Sequence, residues 1–233
     1  MSRERILAAV REALSGIGKD RARHRSVAER LAQPPLHPSG AGAPPEQQVE
    51  IAARFKTNLQ RLGANPIEVA REDEIPSAIA NYLAALGLPL RMRRGSDGPL
   101  ASLQWETAPA LTVDTGPAEP DDTVGLSHAV AGVAETGTLV LASGPDSPVT
   151  LALLPETHIV VLSADAIVYR YEEALAMVLA SCGGRLPRTV NLVTGASRTG
   201  DIGGKIVMGA HGPRRLAVVI YGANAAAAAA AAR

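Results

Sequence analysis

The chain has 233 residues, of which 46% are hydrophobic and 20% charged. That is enough apolar material for one sizeable core plus appendages, and it excludes a wholly disordered chain. Twenty-three Lys and Arg balance 23 Asp and Glu, so no global field favours nucleic acid or an anionic membrane. One cysteine, Cys182, excludes an intrachain disulfide and any cluster or zinc site built from several cysteines of this chain. Aromatic residues are 3% of the total, too few for stacking platforms on single-stranded nucleic acid.

In chain order, Ile6, Leu7, Val10 and Leu14 recur at helical spacing and are broken by Arg11 and Glu12. This predicts an amphipathic helix rather than a signal peptide. Residues 1–33 form a helical arm with eight Lys/Arg against four Asp/Glu, read either as a solvated face or as a basic docking arm. Residues 34–45 hold five prolines and two glycines and read as a linker. The segment 46–222 reads as the folded domain. Residues 223–233, with Ala225 to Ala232 closed by Arg233, read as a low-complexity tail. No stretch has the roughly 20 apolar residues a membrane span needs, and a soluble cytoplasmic protein is expected.

Within the domain the pattern predicts a helix over 46–62 stopped by Gly63, a strand over 66–70, a helix over 75–86, and strands over 88–92 and 110–113. Arg91, Arg93 and Arg94 make a small basic cluster before Gly95. Residues 95–123 are otherwise poorly patterned. The runs Thr138 to Ala142, His158 to Leu162, Thr189 to Val193 and Leu216 to Tyr221 are short and apolar, as in central strands of a parallel sheet covered on both faces. A helix over 164–181 is closed by Gly183 and Gly184. Strands alternating with helices predict an α/β sandwich with a mostly parallel sheet.

Three segments carry polar residues where such a sheet places its sites, after strands. In Ala134-Glu135-Thr136-Gly137-Thr138, Glu135 sits beside two hydroxyls and Gly137 allows a tight turn. Glu135 is a candidate base, nucleophile or ligand, and the plain alternative is a hydrogen-bonded turn. In Thr194-Gly195-Ala196-Ser197-Arg198-Thr199-Gly200-Asp201, the glycines open main-chain N–H groups to an anion, and Ser197, Arg198 and Thr199 add donors. The alternative there is a glycine-rich turn with Ser197 or Asp201 as a cap. His211, held by Gly212-Pro213, is a further candidate, as is His158 at a strand start. Neither histidine has metal-ligand spacing, so no metal site is expected. The run Val193 to Arg198 suggests a dehydrogenase cofactor loop, but its glycines at 195, 200 and 203 have the wrong spacing, and it falls about 40 residues from the C-terminus, where no further βα units can follow.

Together, Ala134 to Thr138, Leu154-Pro155-Glu156-Thr157-His158, Ser197-Arg198-Thr199-Gly200-Asp201-Ile202 and Gly209-Ala210-His211-Gly212-Pro213 resemble the LUD domain family, the group of lactate utilization protein C. The resemblance covers roughly residues 46–222 and is strongest from 124 on. The family pattern has proline, alanine and glutamate where this chain has Ala196, Gly200 and Gly203. The resemblance implies a three-layer α/β/α sandwich similar to the NagB/RpiA/CoA-transferase group. It also implies a place in a system oxidising L-lactate to pyruvate, whose partner proteins resemble iron–sulfur oxidoreductases. On that reading the chain binds no cofactor itself, the clusters lie in its partners, and it is a non-redox subunit holding a small anionic ligand or those partners. The alternative is a stand-alone isomerase-like or acyl-transferase-like enzyme using Glu135 on an anionic substrate. The residues expected around one pocket are Glu135 and His211 as catalytic candidates, with Thr136, Gly137, Thr138, Gly195, Ser197, Arg198, Thr199, Asp201 and His158 as ligand-binding candidates.

Overall fold

A computed structural model describes residues 2–15, 20–33, 47–202 and 205–222, with main chain alone at 201–202. The linker at 34–45, the tail at 223–233 and Gly203 lie outside the described residues. The chain divides into two compact units, Met1–Ala43 and Pro44–Arg233.

The first unit holds α1 (Arg3–Leu14) and α2 (Arg21–Ala32). The Ser2 hydroxyl accepts from the Arg5 N–H, and the Asp20 carboxylate accepts from those of Ala22 and Arg23. Each cap satisfies donors that a helix start leaves open. The apolar side of α1, Ile6, Leu7, Val10 and Leu14, is exposed.

The second unit holds, in order, α3 (Gln48–Arg61), β1 (Ala64–Val69), α4 (Ile75–Ala85), β2 (Arg91–Arg94), α5 (Gly98–Ala101), β3 (Thr112–Thr115), β4 (Val124–His128), β5 (Ala131–Val133) and β6 (Thr138–Ala142). It continues with α6 (Thr150–Leu153), β7 (Thr157–Ser163), β8 (Ile167–Val168), α7 (Tyr171–Ser181), β9 (Val190–Val193), β10 (Arg198–Ile202), β11 (Lys205–Met208) and β12 (Arg215–Tyr221). Six strands form one sheet in the order β1-β12-β7-β4-β2-β3, and every neighbouring pair is parallel. The α/β class and the mostly parallel sheet read from the sequence are therefore observed. Among the described residues no helix is long and apolar enough to cross a membrane.

Side-chain alternation in β7 and β12 sets the layers. Ile159, Val161, Ala217 and Val219 pack on one face with Ile75, Ile79 and Leu83 of α4 and Leu100 of α5. Val160, Leu162, Leu216, Val218 and Ile220 pack on the other face with Phe55 and Leu59 of α3 and with Leu139 and Leu141 of β6. That second face carries a smaller sheet, β8-β5-β6-β9. Its outer side, Val133 and Val140, is covered by Ala174 and Val178 of α7. The layer order is thus helix, parallel sheet, small sheet with α3, then helix.

The small sheet takes two strands that the sequence pattern suggested for the parallel sheet. Thr138 to Ala142 and Thr189 to Val193 pair with each other, and they run antiparallel. An apolar run reports burial on both faces, which β6 has, and carries no information on strand direction. The one strand of the parallel sheet that the pattern missed, β4, is nearly central. Its sequence Val-Gly-Leu-Ser-His breaks the apolar run because a β-carbon at Gly125 would lie 2.3 Å from the Leu151 carbonyl of α6. The helix expected over 164–181 begins only at Tyr171, after a short turn and β8. Glu173 there accepts from the Arg170 N–H at 3.1 Å.

Gly125→Ala forces α6 off the sheet. We expect a loss of roughly 1–3 kcal/mol, read as a lower urea midpoint at unchanged slope.

Candidate functional site

The motif segments gather at the amino ends of the parallel strands. Residues 134–137 turn between β5 and β6, with Gly137 at φ +73° and its N–H bonded to the Val133 carbonyl at 2.9 Å. The Asn58 amide of α3 donates to the carbonyls of Ala134 and Glu135 at 2.8 and 3.2 Å. A β-carbon at Gly137 would come within 2.8 Å of the Asn58 Cβ, so this glycine serves both the turn and the approach of α3. The Thr136 and Thr138 hydroxyls lie 2.7 Å apart and both bond the Tyr171 hydroxyl. Thr138 also meets Thr194 at 2.8 Å. Glu135 is half-buried. Its N–H donates to the Tyr169 carbonyl, and among the described residues its carboxylate has no hydrogen bond or ion pair.

Beyond Thr194 the chain packs on the end of α3. Gly195 has φ +86°, and a β-carbon there would sit 2.7 Å from the Leu62 carbonyl. Arg198 donates Nη2 to that same carbonyl at 2.7 Å, so part of its guanidinium caps α3. Ser197 accepts the Gly209 N–H on its carbonyl and donates its own N–H to Pro213, both at 2.9 Å. Its hydroxyl accepts the His211 N–H at 3.4 Å. Thr199 is buried in β10 opposite Val207. Asp201 lies in the same strand, with its side chain outside the described atoms. The structure thus joins the 135–138 turn to residue 194, and Ser197 to His211.

His211 lines a cleft of about 510 Å³ with Leu153, Leu154, Glu156, Met208 and Arg214. Arg214 is neutralised there by Glu156 at 2.7 Å. His158 does not line this cleft. It is 1% exposed, with Nε2 against the Ser127 hydroxyl at 3.0 Å and Nδ1 without a partner among the described residues. Burial pushes its pKa down to about 4, so it is neutral near pH 7.

These placements correct one expectation. The sequence pattern puts the segment after Thr189 to Val193 at the carboxyl end of a parallel strand. Because β9 runs antiparallel in the small sheet, that loop is delivered to the other edge, beside Leu62 and Gly63 before β1 and Pro213 before β12.

The carboxyl edge holds a second constellation, built in part from the basic cluster at the end of β2. The chain leaves β2 through α5 on one face of the sheet and leaves β4 through β5 and β6 on the other. Neighbouring strands whose connections diverge open a crevice at their carboxyl ends. Arg94, Gly95, Ser96 and Asp97 follow one side and His128 ends the other. The loop after β6 closes on them. The Asp146 carbonyl accepts the N–H groups of Ser96 and Asp97 at 2.9 and 3.1 Å, and its carboxylate accepts the Ser96 hydroxyl at 2.7 Å. A β-carbon on Gly95 would lie 2.4 Å from that carbonyl. Asp97 also accepts the Leu100 N–H at 3.1 Å.

Burial lowers the His128 pKa, and the charges of Asp97 and Glu72 oppose that shift. Burial raises the Asp97 carboxyl. Burial, joined by the charge of Glu72, holds the Tyr221 phenol at the end of β12 above its ordinary value. The signal available in the sequence was Arg93-Arg94-Gly95-Ser96-Asp97 running out of one strand and a histidine ending another.

Fold and edges define an α/β domain whose parallel sheet is buried on both faces. The LUD domain family model matches residues 121–221. A lactate utilization protein C from Deinococcus radiodurans is 36% identical over 190 residues, 76% of this chain and 82% of that one. One from Geobacillus kaustophilus is 32% identical over 174 residues, 73% of this chain and 68% of that one. The crystal structure of a DUF162 family protein from Deinococcus radiodurans superposes with a TM-score of 0.58 at 27% identity, covering 76% of this chain and all of that one. The chain belongs to the LUD domain family.

His158 supplies a pH test. Its folded pKa lies below the ordinary histidine value, so the unfolded chain binds the extra proton as pH falls. Its contribution is intact above about pH 6.5 and is lost progressively towards pH 4. We expect roughly 3 kcal/mol of destabilisation across that window from this group. His158→Gln should flatten the slope in pH-dependent urea unfolding.

Proposed function

We propose that this chain serves L-lactate utilization as a subunit that binds a small organic anion or its partner proteins and leaves electron transfer to those partners. The observation that carries this reading is the identity with lactate utilization protein C of Deinococcus radiodurans over 82% of that protein's length. The cysteine count supports the division of labour. A cluster held by four thiolates needs more than the single Cys182, so the cysteine-ligated centres of such a system belong to other proteins. A lone free thiol also suits a reducing compartment, and the reading places the chain in the cytoplasm.

The anion and the partners call on different parts of the molecule. The first unit offers basic helices with an exposed apolar side. The second offers the two polar edges of the parallel sheet. Chemically, a hydroxy acid such as lactate needs one cation for its carboxylate and one neutral donor or acceptor for its hydroxyl, both fixed by a rigid frame.

The test is genetic and biochemical. A strain lacking this chain should fail to grow on L-lactate as its carbon source while growing normally on pyruvate, and the tagged chain should co-purify with iron–sulfur proteins. Normal growth on lactate without the chain would overturn the reading.

A further inference from the structure

The three arginines of β2 are not equivalent. Arg91 is paired with Asp114 at 2.8 Å. Arg93, 9% exposed, is paired with Asp122 and Glu119. Arg94, the last residue of the strand, has no carboxylate within 4.0 Å among the described residues. It is half-buried, its Nη1 donates to the Gly95 carbonyl at 2.7 Å, and its Nε is buried without a partner among the described residues. Its guanidinium carbon stands 5.7 Å from the ring centroid of Trp105, whose indole N–H is itself fixed to the Leu100 carbonyl at 3.0 Å.

Removing a cation from water without a counter-charge is costly. The chain meets that cost at two of the three positions with an acid of its own. At the third, the charge of Asp97 is felt but makes no ion pair, the guanidinium packs near an aromatic ring, and hydrogen-bonding capacity is left unused. The position is the carboxyl ends of β2 and β4, whose connections part to opposite faces, the place where open α/β sheets hold ligands. His128 ends the second of these strands. Burial favours its neutral form, which carries one donor and one acceptor nitrogen. Ser96 and Asp97 between them are held in place by Asp146.

We propose that the crevice at the carboxyl ends of β2 and β4 is the small-anion site of this chain, taking a short 2-hydroxy or 2-oxo monocarboxylate with Arg94 on the carboxylate and His128 on the 2-oxygen. This deepens the reading above and rests on it for the choice of acid. The geometry itself asks for one anionic group and one adjacent polar oxygen. Asp97 and Glu72, both close enough to act on His128, make a second negative charge on the ligand unfavourable, so the site selects monocarboxylates over dicarboxylates.

The full-length chain titrated calorimetrically with L-lactate, pyruvate, propionate and malonate gives the test. L-Lactate and pyruvate should bind, propionate about fivefold more weakly for want of the 2-oxygen, and malonate more weakly still. Arg94→Met keeps the stem beside Trp105 and should weaken every acid by about tenfold or more. Arg94→Lys should recover part of the loss. His128→Asn should leave propionate unchanged and bring L-lactate down to it. Circular dichroism establishes that each variant is folded. Should Arg94→Met prove unfolded, Arg94→Lys and His128→Asn carry the test in its place.

The proposal is overturned if the wild-type chain binds none of the acids, or if Arg94→Met binds L-lactate within about twofold of wild type, well inside the loss expected for a charged hydrogen bond. A deletion strain unable to use lactate but fully restored by Arg94→Met would overturn this site and leave the functional reading standing. A deletion strain growing normally on lactate, with binding still dependent on Arg94, would overturn that reading and leave the site standing.

Discussion

The two strands β7 and β12 impose the governing constraint. Each is hydrogen-bonded on both sides within the parallel sheet, so its backbone is satisfied only in the plane. Each is also covered on both faces, and its side chains must feed two cores in strict alternation. Ile159 and Val161 face α4 while Val160 and Leu162 face α3 and the small sheet. A shift of one residue would exchange the two sets completely. Each large aliphatic side chain sealed this way contributes roughly 1.5–3 kcal/mol, so register and stability come from the same residues. His158 is the buried titratable exception on β7. It survives there because Ser127, one strand over, supplies a hydrogen bond and because burial keeps the ring uncharged.

From that arrangement the positions of everything else follow. The second face of the parallel sheet is only partly covered by α3, and the β5–β6 hairpin fills the remainder. The hairpin descends along α3, with Gly132 against Phe55 and Gly137 against Asn58, and it turns at Glu135. The glycines and threonines that look like a ligand loop in sequence therefore have main-chain and packing duties. Gly137 and Gly195 let α3 approach, Asn58 fixes two carbonyls of the turn, and the hydroxyls of Thr136, Thr138, Tyr171 and Thr194 satisfy one another. Such a network joins the hairpin to the rest of the domain, and each of its hydroxyls spends hydrogen-bonding capacity that a ligand would otherwise use.

This explains what could be read in the sequence and what could not. Helices α3 and α4 were legible to within a residue or two because apolar spacing and the terminating glycines Gly63 and Gly87 agree. Strands β7 and β12 were legible because continuous apolar runs have few other uses. Strand direction was not, since β6 is as apolar as β7 and yet belongs to another sheet with an antiparallel partner. Strand β4 was hidden by Gly125, Ser127 and His128. Gly125 faces a carbonyl too close to admit a β-carbon, and Ser127 partners a buried histidine. The edge on which a polar loop emerges depends on strand direction, so the same ambiguity moved the glycine segment from the carboxyl to the amino edge of the parallel sheet.

The contrast among the β2 arginines carries the argument from fold to chemistry. They lie within four consecutive residues of one strand, and sequence reading sees a single basic cluster. Strand geometry separates them. Arg91 and Arg93 project to one side, where Asp114, Asp122 and Glu119 wait on adjoining segments. Arg94 falls on the side of Met92, among the apolar groups beneath α4 and α5, where Trp105 is its neighbour. A chain that ion-paired two of these arginines with three acids left the third at a strand end with the charge of Asp97 near it but no ion pair, where a histidine ends the next strand. What Arg94 keeps unused is hydrogen-bonding capacity, which an anionic group arriving from solution would take up, beside a frame held by the Asp146 carbonyl and the Asp97 cap.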